Sequence, residues 1–388
     1  MPSPPCRSCP KSPRARARQL GPAPRYRHRR ARAARSRPER GRGSSDRHPG
    51  TVTAVPELPE VESVRRQLAP ELVGRTVVDV WRDPHPQQRF SDVERVVGRR
   101  VTAVRRRGKF LLCDLELAGG ADEAPEGPRS THGTGVGDPP GIEDDLELAG
   151  GADEAPEGPR STHGTGVGDP PGIEDDLELV LHLGMTGSFR FARASSAWPA
   201  AEVGTEHVRA RFLLHDGREL RFRDPRRFGR VSVVPAGDYA GRVPTLHTLG
   251  PEPLSDAFDA ARFAAALARS SAPVKAVLLG QRVVAGVGNI YADEALWRAR
   301  IHPASRRVGR VRAAALHAAI REVLAAAIER EGTTFRDYQM VNGESGRNAD
   351  FLEAYGQGDL PCARCGTPMR RTVVAQRGTT FCPRCQRV

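Results

Sequence analysis

The sequence contains no run approaching the roughly 18 consecutive apolar residues of a membrane-spanning helix, and this argues against an integral membrane protein. Its first 54 residues also lack the apolar stretch of a secretory signal, large aliphatic side chains in any periodic pattern, and acids other than Glu39 and Asp46. Such a segment cannot bury a core. We therefore expect residues 1–55 to be a disordered, Arg-rich extension, resembling either an organelle transit peptide or translated upstream sequence.

An acidic duplication interrupts the remaining chain. The 31 residues Leu115–Asp145 recur unchanged as Leu146–Asp176, rich in Gly, Pro and acids. Two copies are too few for a solenoid and neither has an apolar face, so we expect a solvated loop at 115–176 between two strands of a hairpin. The rest is long enough for two domains with cores. It is strongly basic, which indicates a polyanionic partner.

Four cysteines have the spacing of a metal site. Cys362 and Cys365 form one Cys-x2-Cys pair, and Cys382 and Cys385 form another, with 16 residues between the pairs. Two such turns can complete a tetrahedron of thiolates around one structural zinc, in a hairpin too small for its own core. Two disulfides are the alternative, but nothing indicates a secreted chain. Cys113 lies in a strand-like run and is expected to be buried.

The apolar pattern predicts an all-β half followed by a helical half. A helix over Pro59–Leu72 has one apolar face. Short strands punctuated by Gly predict an antiparallel sandwich; they cover 77–81, 101–105, 109–115, 177–183, 188–192, 207–214, 219–222 and 230–234. After a Pro- and Gly-rich linker, helices are predicted over 257–269, 274–279, 290–298 and 313–330.

A glycine-rich joint, Gly286-Val287-Gly288-Asn289, precedes one of these helices. Its glycines allow a close backbone approach, and the free N–H groups of the helix could bind a phosphate. Asn289 could contact that phosphate or cap the helix. Arg377, in the predicted turn of the zinc-binding hairpin, could reach DNA or be an ordinary surface arginine.

The segment Pro56-Glu57-Leu58-Pro59-Glu60 matters because of where it lies. Inside a chain, a proline nitrogen is an inert amide, whereas at a terminus it is a secondary amine that can attack an aldehyde-like carbon. GTG encodes valine and also serves as a bacterial start codon. We therefore hypothesise that Val55 is the initiator, read as Met and then removed to expose Pro56.

Six segments together resemble the bacterial formamidopyrimidine-DNA glycosylase family. They are PELPEVESVRR (56–66), RRGKFLL (106–112), HLGMTGS (182–188), DPRRFG (224–229), GVGNIYADE (286–294) and the terminal cysteine hairpin. The resemblance implies an α+β multidomain fold. Its expected parts are a catalytic β-sandwich with flanking helices (56–243), a linker (244–256), a helical domain with a helix-two-turn-helix (257–345), a lesion loop (346–361) and a zinc-ribbon β-hairpin (362–388).

The resemblance also implies roles for individual residues. Pro56 would form a Schiff base with C1′ of a damaged nucleoside, Glu57 would transfer protons, and Lys109 would contact the phosphate beside the lesion. Glu57 could also be an acid favoured by the helix dipole, and the two accounts are compatible. Glu60 resembles a family acid near the site, and capping of the helix is an equally good account of it. The other implied DNA-contacting residues are Met185, Arg226 and Phe228, which fill the gap left by the extruded base, and His207, Lys275, Asn289 and Arg377 near phosphates. Without the resemblance, Met185 and Phe228 would be assigned to the core.

The implied activity is excision of oxidised purines from double-stranded DNA and cleavage of the abasic site, by a monomeric enzyme of the bacterial cytoplasm. Two departures concern binding: Arg347-Asn348 replaces a Tyr-Phe pair, and Ser271 replaces a phosphate-binding Lys. One alternative is excision of oxidised pyrimidines, as in the endonuclease VIII type, although Leu58 replaces a Gly of that type. The other is a DNA-binding module without catalysis, if Pro56 is never exposed.

Overall fold

The computed structural model describes residues 56–85, 89–119, 176–194, 207–334 and 340–388. These residues belong to one compact unit, Thr51–Val388. The predictions for residues 1–55, including the Val55 start, lie outside the described residues, as does most of the duplicated loop. No helix in the described part of the chain is both long enough and apolar enough to cross a membrane.

Nine strands of the N-terminal half form one sheet, in the order β2-β9-β5-β4-β3-β1-β7-β8-β6. All neighbours are antiparallel except β2 and β9. The strands are β1 (Thr76–Arg82), β2 (Phe90–Ser91), β3 (Arg99–Arg107), β4 (Phe110–Leu117), β5 (Leu177–His182), β6 (Ser188–Arg193), β7 (Val208–Leu214), β8 (Arg218–Arg223) and β9 (Arg230–Pro235). The eight predicted strands are confirmed; β2 was missed because two residues carry no periodicity.

The two ends of this sheet pack against each other. Phe90 on β2, at one edge, lies with its ring centroid 6.3 Å from that of Phe222 on β8, near the other edge. Phe222 in turn lies 5.0 Å from Phe189 on β6. Residues from all parts of the sheet share one buried core. The sheet therefore folds into the predicted sandwich, with β4 and β5 paired across the duplicated loop.

Helix α1 (Leu58–Leu72) covers this core with the face that the sequence predicts. Val61, Val64, Leu68 and Leu72 recur at helical spacing and are all buried. Proline is favoured in the first turn of a helix because no backbone donor is needed there, and Pro59 occupies that position. The start of the helix, with Pro56 and Glu57 just before it, is thereby held against the rest of the protein.

The helical half follows α2 (Pro244–His247), a single turn within the predicted linker. Its helices are α3 (Ala260–Ala268), α4 (Val274–Leu279), α5 (Asn289–Arg298) and α6 (Arg310–Glu329), which pack around a second core. The last pair of strands, β10 (Arg370–Val374) and β11 (Arg377–Phe381), forms the predicted hairpin. Arg377 was expected in the connecting turn, but it already pairs with Val374, so the turn consists of Ala375 and Gln376 alone.

The linker is bound tightly to the sandwich through Glu252. Its carboxylate accepts hydrogen bonds from the Gly108 backbone N–H at 2.6 Å and from the guanidinium groups of Arg106 and Arg107 at 2.7 and 3.1 Å. Arg106 also donates to Glu62 on α1 at 3.1 Å. The linker and α1 therefore both hold the turn between β3 and β4, where Lys109 lies.

Met340 joins the C-terminal half to the sandwich. It belongs to the predicted helical domain, yet its side chain is 0% exposed and packs within the sandwich core. We expect Met340→Ala to lower the free energy of unfolding by about 2–5 kcal/mol, because it leaves a cavity. Urea unfolding would measure this. Val373→Ala is the control, since Val373 is 71% exposed; equal losses in the two variants would contradict the packing argument.

Candidate active site

The carboxylate of Glu57 occupies the N-terminus of α5. Oε1 accepts a hydrogen bond from the Ile290 backbone N–H at 2.8 Å, and Oε2 accepts from Gly288 at 2.8 Å and Tyr291 at 3.3 Å. The suggestion that these N–H groups bind a DNA phosphate is therefore wrong, because an internal carboxylate already occupies them. Helix N-termini favour any anion, and here the anion comes from the chain itself.

The two glycines of the joint make room for the start of α1. A Cβ on Gly288 would lie 2.3 Å from Cδ of Glu57, and one on Gly286 would lie 2.4 Å from Cδ1 of Leu58. Gly286 also has φ of +81°, which disfavours any other residue. The predicted close approach exists, but the group that approaches is α1 rather than a ligand.

Glu60 continues this network away from α5. Its side chain accepts from the Glu57 backbone N–H at 2.9 Å, from the Thr333 N–H at 2.6 Å and from the Tyr291 hydroxyl. Burial, followed by the nearby charge of Glu57, raises the pKa of Glu60 to about 7. The capping interpretation of Glu60 is confirmed, and the same carboxyl group also links α1 to α5.

Asn348, the second residue of the Arg347-Asn348 departure in the lesion loop, has its side chain directed into the protein. Its Nδ2 donates to Thr333 Oγ1 at 2.9 Å, and its backbone N–H donates to the Gly332 carbonyl at 3.0 Å. The residue is buried. Arg347 is exposed and lies 3.6 Å from Glu331. The replacement of Tyr-Phe therefore extends the network around Glu60.

Lys109 interacts electrostatically with both Glu57 and Arg377. Burial raises the pKa of Glu57, while the charge of Lys109 opposes the rise. Burial also lowers the pKa of Lys109; Glu57 and Glu60 oppose that shift and Arg377 adds to it. Lys109 lies in the turn between β3 and β4, not on a strand as expected. The fold thus places Lys109 within electrostatic range of Glu57 and Arg377, two predicted site residues that are far from it in sequence.

A cavity of about 480 Å³ opens beside Lys109, between the sandwich and the linker. Sequence reasoning did not single out four polar residues of its wall: Arg89, His182, Arg230 and Arg282. No carboxylate is found among the described residues that line it. Burial, then nearby cations, lowers the pKa of His182 to about 4. The only available signal was the place of His182 at the start of the HLGMTGS segment.

The three predicted gap-filling residues lie on two adjoining loops. Met185 follows β5, and Arg226 and Phe228 lie between β8 and β9. Asp224 joins the loops, since its carboxylate accepts from the Thr186 hydroxyl at 2.6 Å and from the Gly229 N–H at 2.7 Å. Phe228 is 39% exposed and Met185 is partly exposed. The alternative that they belong to the core is wrong.

The other predicted DNA contacts lie at the surface or beside the hairpin. His207 is exposed, immediately before β7, with φ of +68°. Asn289 is the first residue of α5 and donates from Nδ2 to the Gly378 carbonyl at 3.2 Å, so its side chain does not cap the helix. Arg377 is exposed at the start of β11, beside the tight turn.

Lys275 cannot serve as the predicted DNA-binding lysine in this conformation. Its side chain is 0% exposed, and its ammonium donates to Asp293 at 2.6 Å, to Thr379 Oγ1 at 2.8 Å and to the Gly378 carbonyl at 3.2 Å. An ammonium has three donors, and all three are used. Lys275 instead fixes the hairpin of β10 and β11 against α4 and α5.

The four cysteines of the hairpin are brought together as the spacing predicts. Their Sγ atoms lie within 4.8 Å of one another, and all four are free thiols rather than disulfides. Zinc bound to four thiolates at about 2.3 Å places the sulfurs about 3.8 Å apart, so the group fits one structural zinc. The indole N–H of Trp297 donates to Cys362 Sγ at 3.4 Å, as outer partners of metal ligands do. Cys113 is buried, as expected.

The close contact between Gly288 and the Glu57 carboxylate can be tested by adding a methyl group at residue 288. We expect Gly288→Ala to lower the free energy of unfolding by about 1–3 kcal/mol, because the new methyl group would overlap the Glu57 carboxylate. Thermal and urea unfolding would measure this. In the matched control Gly241→Ala, the new Cβ meets no atom within 4 Å. The interpretation fails if both variants are equally stable.

The raised pKa of Glu60 predicts a pH dependence of stability. Between pH 4.5 and about 7 the folded protein holds a proton on Glu60 that the unfolded chain has released. This contribution to the free energy of unfolding therefore falls as pH rises, by roughly 3 kcal/mol in total. Glu60→Gln should flatten that part of the profile measured by urea unfolding, and an unchanged slope would contradict the assignment.

Comparison with known families agrees with this geometry. The formamidopyrimidine-DNA glycosylase N-terminal domain matches residues 55–140 and 146–231, breaking within the duplication. The formamidopyrimidine-DNA glycosylase H2TH domain matches 249–339, and a zinc finger found in FPG and IleRS matches 359–388. The matched segments cover most of the chain.

Individual relatives align over nearly their whole length. Formamidopyrimidine-DNA glycosylases of Deinococcus radiodurans and Thermus thermophilus are each 41% identical over 86% of this chain, which spans 97% and 98% of those proteins. The crystal structure of MutM (Fpg) from Thermus thermophilus has a TM-score of 0.64 at 40% identity, covering 85% of this chain and 98% of that one.

A complex of Lactococcus lactis Fpg with abasic-site DNA has a TM-score of 0.63 at 27% identity, covering 86% of this chain and 100% of that one. The matches to the family, the relatives and the solved structures all extend over the sandwich, the helical half and the zinc-binding hairpin. This chain is therefore a member of the formamidopyrimidine-DNA glycosylase family.

Proposed function

We propose that this chain is a bifunctional DNA glycosylase and AP lyase. It removes oxidised purines, 8-oxoguanine and formamidopyrimidines, from duplex DNA and then cleaves the abasic site by successive β- and δ-elimination. Family membership supports the reaction class. The observation that carries the proposal for this chain is the electrostatic proximity of Lys109 to Arg377 and to Glu57, the residue that follows Pro56.

The nucleophile in this proposal is the nitrogen of Pro56. An α-amino group with an ordinary pKa of about 7.7–8.0 is roughly a tenth to a fifth neutral at pH 7, so it can attack. Its bond to C1′ forms as the bond from C1′ to the base breaks. The C1′–O4′ bond of the sugar then breaks, with O4′ taking up a proton, and this ring opening converts C1′ into the carbon of an iminium. The iminium acidifies the C2′ proton, whose removal expels the 3′ phosphate; the 5′ phosphate leaves in the second elimination. The reaction requires Pro56 to be N-terminal in the working protein.

Glu57 is suited to proton transfer in this scheme. Burial raises the pKa of Glu57 above the ordinary range of a carboxyl group, which favours its holding a proton that it can pass on. The three backbone N–H groups of α5 keep the carboxylate in one orientation. Lys109, with its pKa lowered by burial, contacts the phosphate beside the lesion and assists proton transfer.

The remaining predicted residues hold the DNA. Arg377, Asn289 and His207 contact phosphates, while Met185, Arg226 and Phe228 occupy the space of the extruded base. Extrusion costs a few kcal/mol, and an inserted aromatic ring offsets part of that cost by stacking. The zinc and the buried Lys275–Asp293 ion pair fix the hairpin that carries Arg377. The chain acts as a monomer, and its binding weakens as salt rises.

Borohydride trapping tests the proposal. A chain beginning at Pro56 should form a covalent adduct with duplex DNA containing 8-oxoguanine, and the same chain with its N-terminal nitrogen acetylated should not. A matched chain that retains the residues before Pro56 should bind this DNA without being trapped, since its proline nitrogen is an amide. N-terminal sequencing of native protein would show which form the cell contains.

Two outcomes would overturn parts of this proposal. Binding without an adduct from the chain beginning at Pro56 would favour a non-catalytic DNA-binding module. Faster release of oxidised pyrimidines than of 8-oxoguanine, from otherwise identical duplexes, would favour the endonuclease VIII type of activity.

A further inference from the structure

The ring of Phe228 is contacted by two guanidinium groups. Arg226, from the same loop, has its guanidinium carbon 5.0 Å from the ring centroid, and Arg89 has its own at 5.6 Å. Arg89 also donates from Nη1 to the Phe228 carbonyl at 2.7 Å. Arg89 therefore contacts both the ring and the backbone of the same residue. Such contacts are attractive because the face of an aromatic ring is electron-rich.

Arg89 reaches this loop from a different and firmly held part of the protein. Its carbonyl accepts a hydrogen bond from the Val231 N–H at 3.1 Å, and the next residue, Phe90, pairs with Val231 in the sheet and is buried. The loop itself is irregular, with Arg227 at φ of +58°. Arg89 thus connects an exposed aromatic ring to the edge of the sandwich.

We propose that Arg89 is a positioning residue that holds the Phe228 ring in the orientation needed for insertion between base pairs. This rests on the DNA-binding function proposed above. An exposed ring has few neighbours to restrict its rotamer, and restricting it before binding removes an entropic cost of association. A planar guanidinium can contact the ring and the carbonyl together, whereas a lysine ammonium is a point charge.

A direct role in binding phosphate is the competing account of Arg89. It lines the basic cavity with Lys109 and Arg230, and burial, followed by the charge of Arg89, lowers the pKa of Arg230. A DNA phosphate would relieve that repulsion. The two accounts differ in whether the effect of Arg89 depends on the Phe228 ring, and a double-mutant cycle measures that dependence.

The test uses a duplex with a tetrahydrofuran abasic analogue beside 2-aminopurine, whose fluorescence rises when the neighbouring stack opens. We expect Arg89→Ala and Arg89→Lys each to raise the Kd obtained from this fluorescence rise by about threefold to tenfold. In a Phe228→Ala background, where binding is followed by the fluorescence anisotropy of a labelled duplex, Arg89→Ala should change Kd by less than about twofold. Arg100→Ala, an exposed arginine paired with Glu116, is the control and should match the unchanged protein.

Additive effects of Arg89→Ala and Phe228→Ala would overturn the proposal. A phosphate-binding role would also overturn it, and two results together would show that role. Arg89→Lys would bind as tightly as the unchanged protein, and Arg89→Ala would reduce the slope of log Kd against log salt by about 0.9, the value for one phosphate contact. The analogue carries no base to excise, so this readout does not depend on Pro56 chemistry. Failure of borohydride trapping would leave the fluorescence result standing and would count only against the proposed reaction.

Discussion

A carboxylate placed on a helix N-terminus holds this site together. Glu57 accepts three hydrogen bonds from the first turn of α5, and hydrogen bonds to a charged group are each worth about 1.5–3 kcal/mol. These hydrogen bonds join the start of α1, which packs against the sandwich, to the helical half. It also sets the position of Pro56, the preceding residue. Gly288 leaves room for this carboxylate close to the backbone, and Gly286 leaves room for the side chain of Leu58.

Buried ionisable groups extend the same connection outward from α5. Glu60 connects Glu57 to Tyr291 and Thr333, and Lys275 connects Asp293 to the zinc-binding hairpin. An unpaired buried charge is costly, so each of these groups requires its partners to stay in place. The positions of the proposed catalytic and phosphate-binding residues therefore depend on these buried contacts. Most of the residues that make the contacts have no proposed role in catalysis or in DNA binding.

The exposed part of the site is organised differently. Phe228, Arg226 and Met185 lie on loops that meet through the carboxylate of Asp224, with Arg89 contributing from the sheet edge. Phe228 and Met185 are partly exposed, although large apolar side chains are ordinarily more stable when buried. Such exposure is consistent with the proposed insertion into DNA, which would cover these side chains.

The sequence by itself determined the strands, the helices and the zinc-binding hairpin, because alternating and helical apolar patterns and Cys-x2-Cys spacing are local properties. Motif order was sufficient to indicate the family. The sequence could not show that the N-terminus of α5 binds Glu57 instead of a phosphate, or that Lys275 is buried. It also could not reveal Arg89, since its contact with Phe228 spans 139 residues. Tertiary structure decided these points, because the partner of a polar group depends on which distant segments the packed cores bring together.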